Sequence, residues 1–124
     1  MITGAHILLY SNDPAADRAF FRDVLEFRSV DAGHGWLIFK LPPAEAALHP
    51  IDDPAQVPVG HSLLSGQLYL MCEDLQALIQ SLATKKVTCS AIDKAPWGIK
   101  TTIRLPSGGA IGLYQPTHPT ALGL

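Results

Sequence analysis

The histidine at position 6 stands at the head of an apolar run, "AHILLYS", directly before the helix-start signal "NDP". An imidazole in that setting can ligate a metal, orient a substrate or satisfy a backbone group inside a core, and its neighbours decide which. His61, in "VGHSLLSG", falls in a stretch without periodicity and reads as a solvent-facing residue or part of a cover over a cavity. Cys72 and Cys89 are too few and too far apart for a disulfide framework or a zinc knuckle, and read as reduced, buried thiols. Ser11 and Ser107 belong to no Ser, His and Asp arrangement that the sequence establishes. The glycines of "PSGGA" suit a turn between strands and match neither a phosphate loop nor a dinucleotide fingerprint.

The elements that must position these groups are short. With 124 residues, 48% hydrophobic and 16% charged, the chain is expected to fold as one domain, and its ten prolines and ten glycines call for many turns. A net charge of −2 with scattered basic residues gives no footprint for nucleic acid or an anionic membrane, so small molecules are the expected partners. The N-terminus lacks a basic region, and no window approaches eighteen uninterrupted apolar residues, which predicts a cytoplasmic protein.

"AHILLYS" reads as a strand, after which Asn12 or Asp13 can cap a helix that starts at Pro14. Ala16, Phe20 and Val24 recur at four-residue spacing with Phe21 and Leu25 beside them, which predicts an amphipathic helix of about three turns. "FRSVD", "GWLIFKLP" and "EAALHP" read as three further strands. Residues 51–65 carry prolines and a glycine without a sustained period and form a connector. The order then restarts: "GQLYLMC" as a strand, a helix with Leu75, Leu78, Ile79 and Leu82 on one face, and strands in "VTCSAI", "GIKTTIRLP" and "AIGLYQP".

That restart is an internal repeat. "HILLYS" from His6 matches "QLYLMC" from Gln67, "FKLP" matches "IRLP", and the stretch around Ala47 resembles "GLYQP" from Gly112. The chain therefore reads as two β-α-β-β-β modules, about 4–50 and 66–117, joined by the connector. Each is too small to be stable alone, so the pair is expected to pack as one domain around a shared cavity, or to swap between chains.

On the His-led first strand, the "FFRDVLEF" helix, the paired modules and the closing "LPSGGAIGLYQP", the chain resembles the vicinal oxygen chelate superfamily. This group includes glyoxalase I, bleomycin-resistance proteins, fosfomycin-resistance enzymes and extradiol dioxygenases. The resemblance covers about residues 4–117 and implies an α+β fold whose paired modules form a curved half-barrel sheet around one cavity. Glu26 and Lys86 occupy places where the family often has a helix-ending Gly, so a left-handed backbone there would cost about 1 kcal/mol relative to Gly.

The family's four metal-binding positions map to His6, Ala47, Gln67 and Gly112, of which only His6 is a good ligand. His49, two residues beyond Ala47, points to the same face of its strand and can add a second imidazole. His6, His49 and Gln67 are thus the candidate ligands if a divalent Zn, Ni, Mn or Fe ion is bound, but the expectation is that no cofactor is present. They are read instead as polar hooks for a small apolar or aromatic molecule, with Trp36 and Trp97 as candidate stacking residues. Tyr114 is read as facing away from Gly112, at an edge or interface.

The expected function is that of a cytoplasmic homodimer of the glyoxalase and bleomycin-resistance type that binds a small molecule over a degenerate metal site. The alternative is a metal-dependent lyase or dioxygenase in which Glu45 moves a proton.

Overall fold

The helix predicted after "NDP" is α1, Pro14–Asp23, in a computed structural model that describes residues 1–51 and 65–124. His61 and almost all of the connector lie outside the described residues. Asp13 caps α1 by accepting a hydrogen bond from the Ala16 amide at 3.2 Å, and Pro14 occupies the first turn, where its missing N–H costs nothing. The described residues gather into two units, Met1–Lys40 with Arg104–Ala110, and Leu41–Ile103 with Ile111–Leu124.

In the first unit, Asp17 and Phe21 lie one turn apart on α1 and are both buried. The Phe21 ring meets those of Phe27 and Phe39 edge to face at 5.8 and 5.4 Å. Phe39 belongs to β2, Leu37–Phe39, which pairs antiparallel with β1, Ser29–Asp31. The hairpin turn is held by Asp31, whose carboxylate accepts from the amides of Gly33 at 2.7 Å and Gly35 at 3.2 Å. Asp17 joins α1 to the 105–109 turn: its carboxylate accepts from the Ser11 hydroxyl at 2.6 Å and the Ser107 amide at 3.0 Å. Burial works against this charge, but the hydroxyls of Ser11 and Ser107 and the Ser107 amide outweigh it and hold the carboxyl below its ordinary range.

The second unit is built on a four-stranded sheet in the order β3-β6-β5-β4, with β3 Tyr69–Met71, β4 Asp93–Ala95, β5 Gly98–Arg104 and β6 Ala110–Pro116. Helix α2, Leu75–Thr84, is capped by Asp74, and the side-chain oxygen of Gln115 on β6 accepts from the Leu75 amide at 3.0 Å. Leu75, Leu82, Ile103, Ile111 and Leu113 are buried, and Leu78 and Ile79 on the predicted apolar face are half-buried. Alternation along β6 sends Ile111, Leu113 and Gln115 to one side of the sheet and Gly112 and Tyr114 to the other. β3 runs parallel to β6 with Tyr69 opposite Gly112, and the Tyr69 ring fills the space that a side chain at 112 would need.

Several predicted strands are shorter than the sequence suggests. Residues 5–11 and the "EAALHP" stretch contain no regular strand. By the repeat, residues 8–10 and 47–49 are the counterparts of Tyr69–Met71 and Gly112–Tyr114, which pair with each other. Neither residues 8–10 nor residues 47–49 form a regular strand. Ile7, Leu8, Leu9 and Tyr10 stay exposed, between 47% and 84%. In "VTCSAI" only Cys89 bridges to Ile103, and the strand falls later, at β4. Glu26 and Lys86 do adopt left-handed backbone, φ 60° and 62°, at the ends of the two helical segments. Among the described residues no helix is long and apolar enough to cross a membrane.

Two stability predictions follow from these contacts. Asp17→Ala strands the Ser107 amide and is expected to lower stability by about 2 kcal/mol, read as a drop in thermal midpoint of roughly 8 °C. Because the folded carboxyl sits below its unfolded value, its contribution is present above the ordinary carboxylate range. That contribution disappears as pH falls through the folded pKa, so acid should narrow the gap between wild type and Asp17→Asn. Gly112→Ala is expected to cost about 2 kcal/mol by overpacking against Tyr69. Tyr69→Ala in the same chain should remove most of that cost, which a double-mutant cycle of urea midpoints measures.

Candidate functional site

On the face of the second unit's sheet opposite α2, the ring of Tyr69 meets Tyr114 at 5.7 Å and Trp97 at 6.5 Å, and Trp97 meets Tyr114 at 5.4 Å. All three pairs are edge to face, the arrangement that ring quadrupoles favour. The cluster arises from strand geometry. Tyr69 and Tyr114 project from neighbouring strands on one side of the sheet, and Trp97 precedes Gly98, where β5 begins. Gly98 has φ 155°, and a side chain there would strike the Gln115 carbonyl, so only glycine lets the chain turn this close to β6. The Thr117 amide donates to the Trp97 carbonyl at 2.9 Å and its hydroxyl to the Pro96 carbonyl at 3.2 Å, which fastens the segment after β6 beside the indole.

Polar groups surround the rings. His118 stacks on Tyr114 at 6.1 Å. Its Nδ1 lies 2.7 Å from the Pro119 carbonyl, which only accepts, so Nδ1 carries a hydrogen, and Nε2 lies within hydrogen-bond distance of the Tyr114 hydroxyl at 3.2 Å. Burial, and after it the negative charge of Glu45, raise the Tyr114 phenol above its ordinary value, so it stays a proton donor. Glu45 accepts from the Ala121 amide through Oε2 at 3.2 Å, while its Oε1 is buried and has no hydrogen-bond partner among the described residues. Lys100 places its ammonium 5.2 Å from the centre of the Trp97 ring and 3.8 Å from Asp93.

The sequence-predicted residues divide between the units. Gln67, His49, Trp97 and Glu45 belong to the second. Gln67 accepts from the Tyr69 hydroxyl at 3.4 Å, which ties it to the aromatic cluster, and His49 is exposed. His6 and Trp36 belong to the first unit and are both exposed; the Arg18 guanidinium lies 4.6 Å from the centre of the Trp36 ring. Tyr114 does not face away from Gly112. Residues two apart on a strand share a face, and the Tyr69 ring meets both of them. Tyr69, two residues beyond Gln67, was legible by the same rule, whereas His118 carried no sequence signal because it follows the last strand.

The donors do not fit a divalent ion. Ala47 offers none, and the place a carboxylate would take at Gly112 is filled by the Tyr69 ring. Among the described residues no three His, Cys, Asp or Glu side chains gather closely enough to hold an ion. The thiols of Cys72 and Cys89 are unpaired and raised by burial, in Cys72 also by the charge of Asp74, so neither is an activated nucleophile. A shallow groove of about 460 Å³ beside α2, between Ile79 and Cys89, has no set of convergent polar groups. The arrangement around Trp97 is suited instead to holding an organic molecule against aromatic surface with a few hydrogen-bonding groups.

The sequence profile of the Glyoxalase/Bleomycin resistance protein/Dioxygenase superfamily matches residues 4–112. Among solved structures, the chain is similar to TnmS3, an antibiotic binding protein from Streptomyces sp. CB03234. The TM-score is 0.61 at 23% identity, over 94% of this chain and 100% of that one. It is also similar to lactoylglutathione lyase from Agrobacterium tumefaciens, with a TM-score of 0.58 at 20% identity over 91% and 92% of the two chains. A glyoxalase family protein from Enterococcus faecalis gives a TM-score of 0.55 at 17% identity over 80% and 86%. No curated protein matches the chain. At these identities the likeness to solved structures speaks for the fold alone. The profile match spans both predicted modules, and with it the chain belongs to the Glyoxalase/Bleomycin resistance protein/Dioxygenase superfamily.

Proposed function

We propose that this chain is a small-molecule-binding member of its superfamily that works without a bound metal and holds a small apolar or aromatic ligand against Tyr69, Trp97 and Tyr114. The observation that carries this reading is the Tyr69 ring over Gly112, which puts an aromatic surface where metal-dependent relatives are expected to keep a donor. The three residues are half-buried, so part of their surface stays open to a flat ligand. An antibiotic binding protein among the similar structures is consistent with this use of the fold. His6, His49, Gln67 and Trp36 are kept in the proposal as further ligand contacts, and Glu45 as a polar group of the aromatic site.

The proposal includes a cytoplasmic homodimer in which the paired modules make up one working domain. Its support is the apolar N-terminal segment, where Leu8 is 67% exposed and no strand pairing is made, although the repeat equates it with a segment that pairs with β6. Trp36, Val30 and Ile38 add exposed apolar surface in the same unit. A second copy packing on this surface would cover the exposed side chains.

Protein purified without chelator is expected to contain far less than one equivalent of Zn, Ni, Mn or Fe, and adding these ions should leave the thermal midpoint unchanged. Light scattering should give twice the 13.3 kDa chain mass. Flat aromatic compounds should quench tryptophan emission and raise the midpoint, with both effects lost in Trp97→Ala. A stoichiometric ion whose stabilisation vanishes in His6→Ala would replace this reading with the metal-dependent lyase or dioxygenase.

A further inference from the structure

We infer that Lys100 sets the charge preference of the aromatic face, so that the ligand held there is a flat aromatic carboxylate with its acid group at the Lys100 end of the rings. The inference rests on the proposed use of that face for ligand binding and names the ligand's chemistry. Alternation along β5 buries Thr101 and Ile103 and turns Lys100 to the other side of the sheet. There its ammonium lies 5.2 Å from the centre of the Trp97 ring. The side chain keeps 29% of its surface exposed, so it is partly desolvated beside the indole and still open to a ligand.

The ammonium is weakly answered by the protein. Asp93 stands opposite Lys100 in the β4–β5 ladder, and its carboxylate comes no closer than 3.8 Å. With a side chain 68% exposed, Asp93 is screened by water, and solvated pairs of this kind hold loosely. Among the described residues the ammonium has no closer partner, although it carries three N–H donors. A flat ligand that covers the open parts of Trp97 and its neighbouring rings takes further water from that ammonium. A neutral or cationic ligand leaves the loss uncompensated, whereas a carboxylate replaces the water with a charge-assisted hydrogen bond. The opposite end of the cluster does not compete for the acid group. The hydroxyls of Tyr114 and Tyr69 are engaged with His118 and Gln67, and the negative charge of Glu45 acts on the Tyr114 phenol. The carboxylate is therefore directed to Lys100.

The test uses three probes of similar shape, 2-naphthoate, 2-naphthamide and 2-naphthylmethylamine, titrated into the full chain by calorimetry at neutral pH and low salt. The carboxylate should bind about tenfold tighter than the neutral amide, and the amine should bind more weakly than either. The chain's net charge of −2 works against anions in general, so a preference for one must come from a local group. Added salt should shrink the preference. In Lys100→Met, which keeps an apolar side chain beside the indole without the charge, the three affinities should converge. Asp93→Asn removes the competing carboxylate and should tighten 2-naphthoate further, an effect that a purely structural Lys100 would not produce. Thermal midpoints verify that the variants fold, and the wild-type comparison tests the ligand preference even if Lys100→Met does not. Equal binding of all three probes to wild type, or a preference for the amide or the amine, would overturn the inference and leave the aromatic binding face standing. A carboxylate preference that survives in folded Lys100→Met, or weaker 2-naphthoate binding in folded Asp93→Asn, would overturn the assignment to Lys100. No binding by any probe at millimolar concentration would overturn the inference and count against the aromatic face itself.

Discussion

The register of β3 on β6 governs what this protein can do. With Tyr69 opposite Gly112 in a parallel pair, the phenol ring has nowhere to lie except over the glycine. The absence of a side chain at 112 and the presence of a ring at 69 are therefore one feature seen from two strands. A slip of one residue in β3 would send Tyr69 to the α2 side of the sheet and turn Leu70 onto the opposite face, so the apolar side chain at 70 helps to hold the ring over the glycine. Gln115 contributes from the same alternation. Its side chain closes the first turn of α2 only because odd-numbered residues of β6 face that helix.

The two units solve their packing differently although the repeat relates their sequences. In the second, Leu75, Leu82, Ile103, Ile111 and Leu113 form a dry interior between helix and sheet. In the first, Phe21 is the buried apolar residue, and the helix depends on a polar anchor, Asp17, which holds Ser107 of the 105–109 turn through one oxygen and Ser11 through the other. A buried carboxylate is a poor substitute for apolar area, since its bonds mainly return what desolvation removed. It does fix geometry, because Ser11 and Ser107 must both be in place for the charge to be tolerated. The first unit is thus specified by directional bonds while its apolar surface stays open.

Local chemistry was the legible part of the sequence. Capping by Asp13, the start at Pro14, the apolar face of α2 and the left-handed Glu26 and Lys86 all follow from rules that act within a few residues. The repeat and the profile match carried the fold. Strand existence in the first module was not legible, because the apolar pattern of "HILLYS" states a preference for pairing and not the location of the partner. The candidate site was half legible. Gln67 and Trp97 were singled out by mapping and type, and Tyr69 and Tyr114 follow from period-two alternation, but the link from Glu45 to the Ala121 amide joins residues far apart in the chain.

Tyr69 also illustrates how a fold can keep a binding face while its chemistry changes. A donor at position 112 would have needed a partner set, and Ala47 and Gln67 show that set missing at more than one corner. Once a ring covers position 112, binding selectivity depends on what borders the ring, because stacking alone distinguishes flat molecules poorly. Here the border holds a hydrogen-bonded pair, Tyr114 with His118. That pair is internally satisfied and offers a ligand little, so discrimination on this face would depend on how a ligand fits the three rings and the Lys100 ammonium over Trp97.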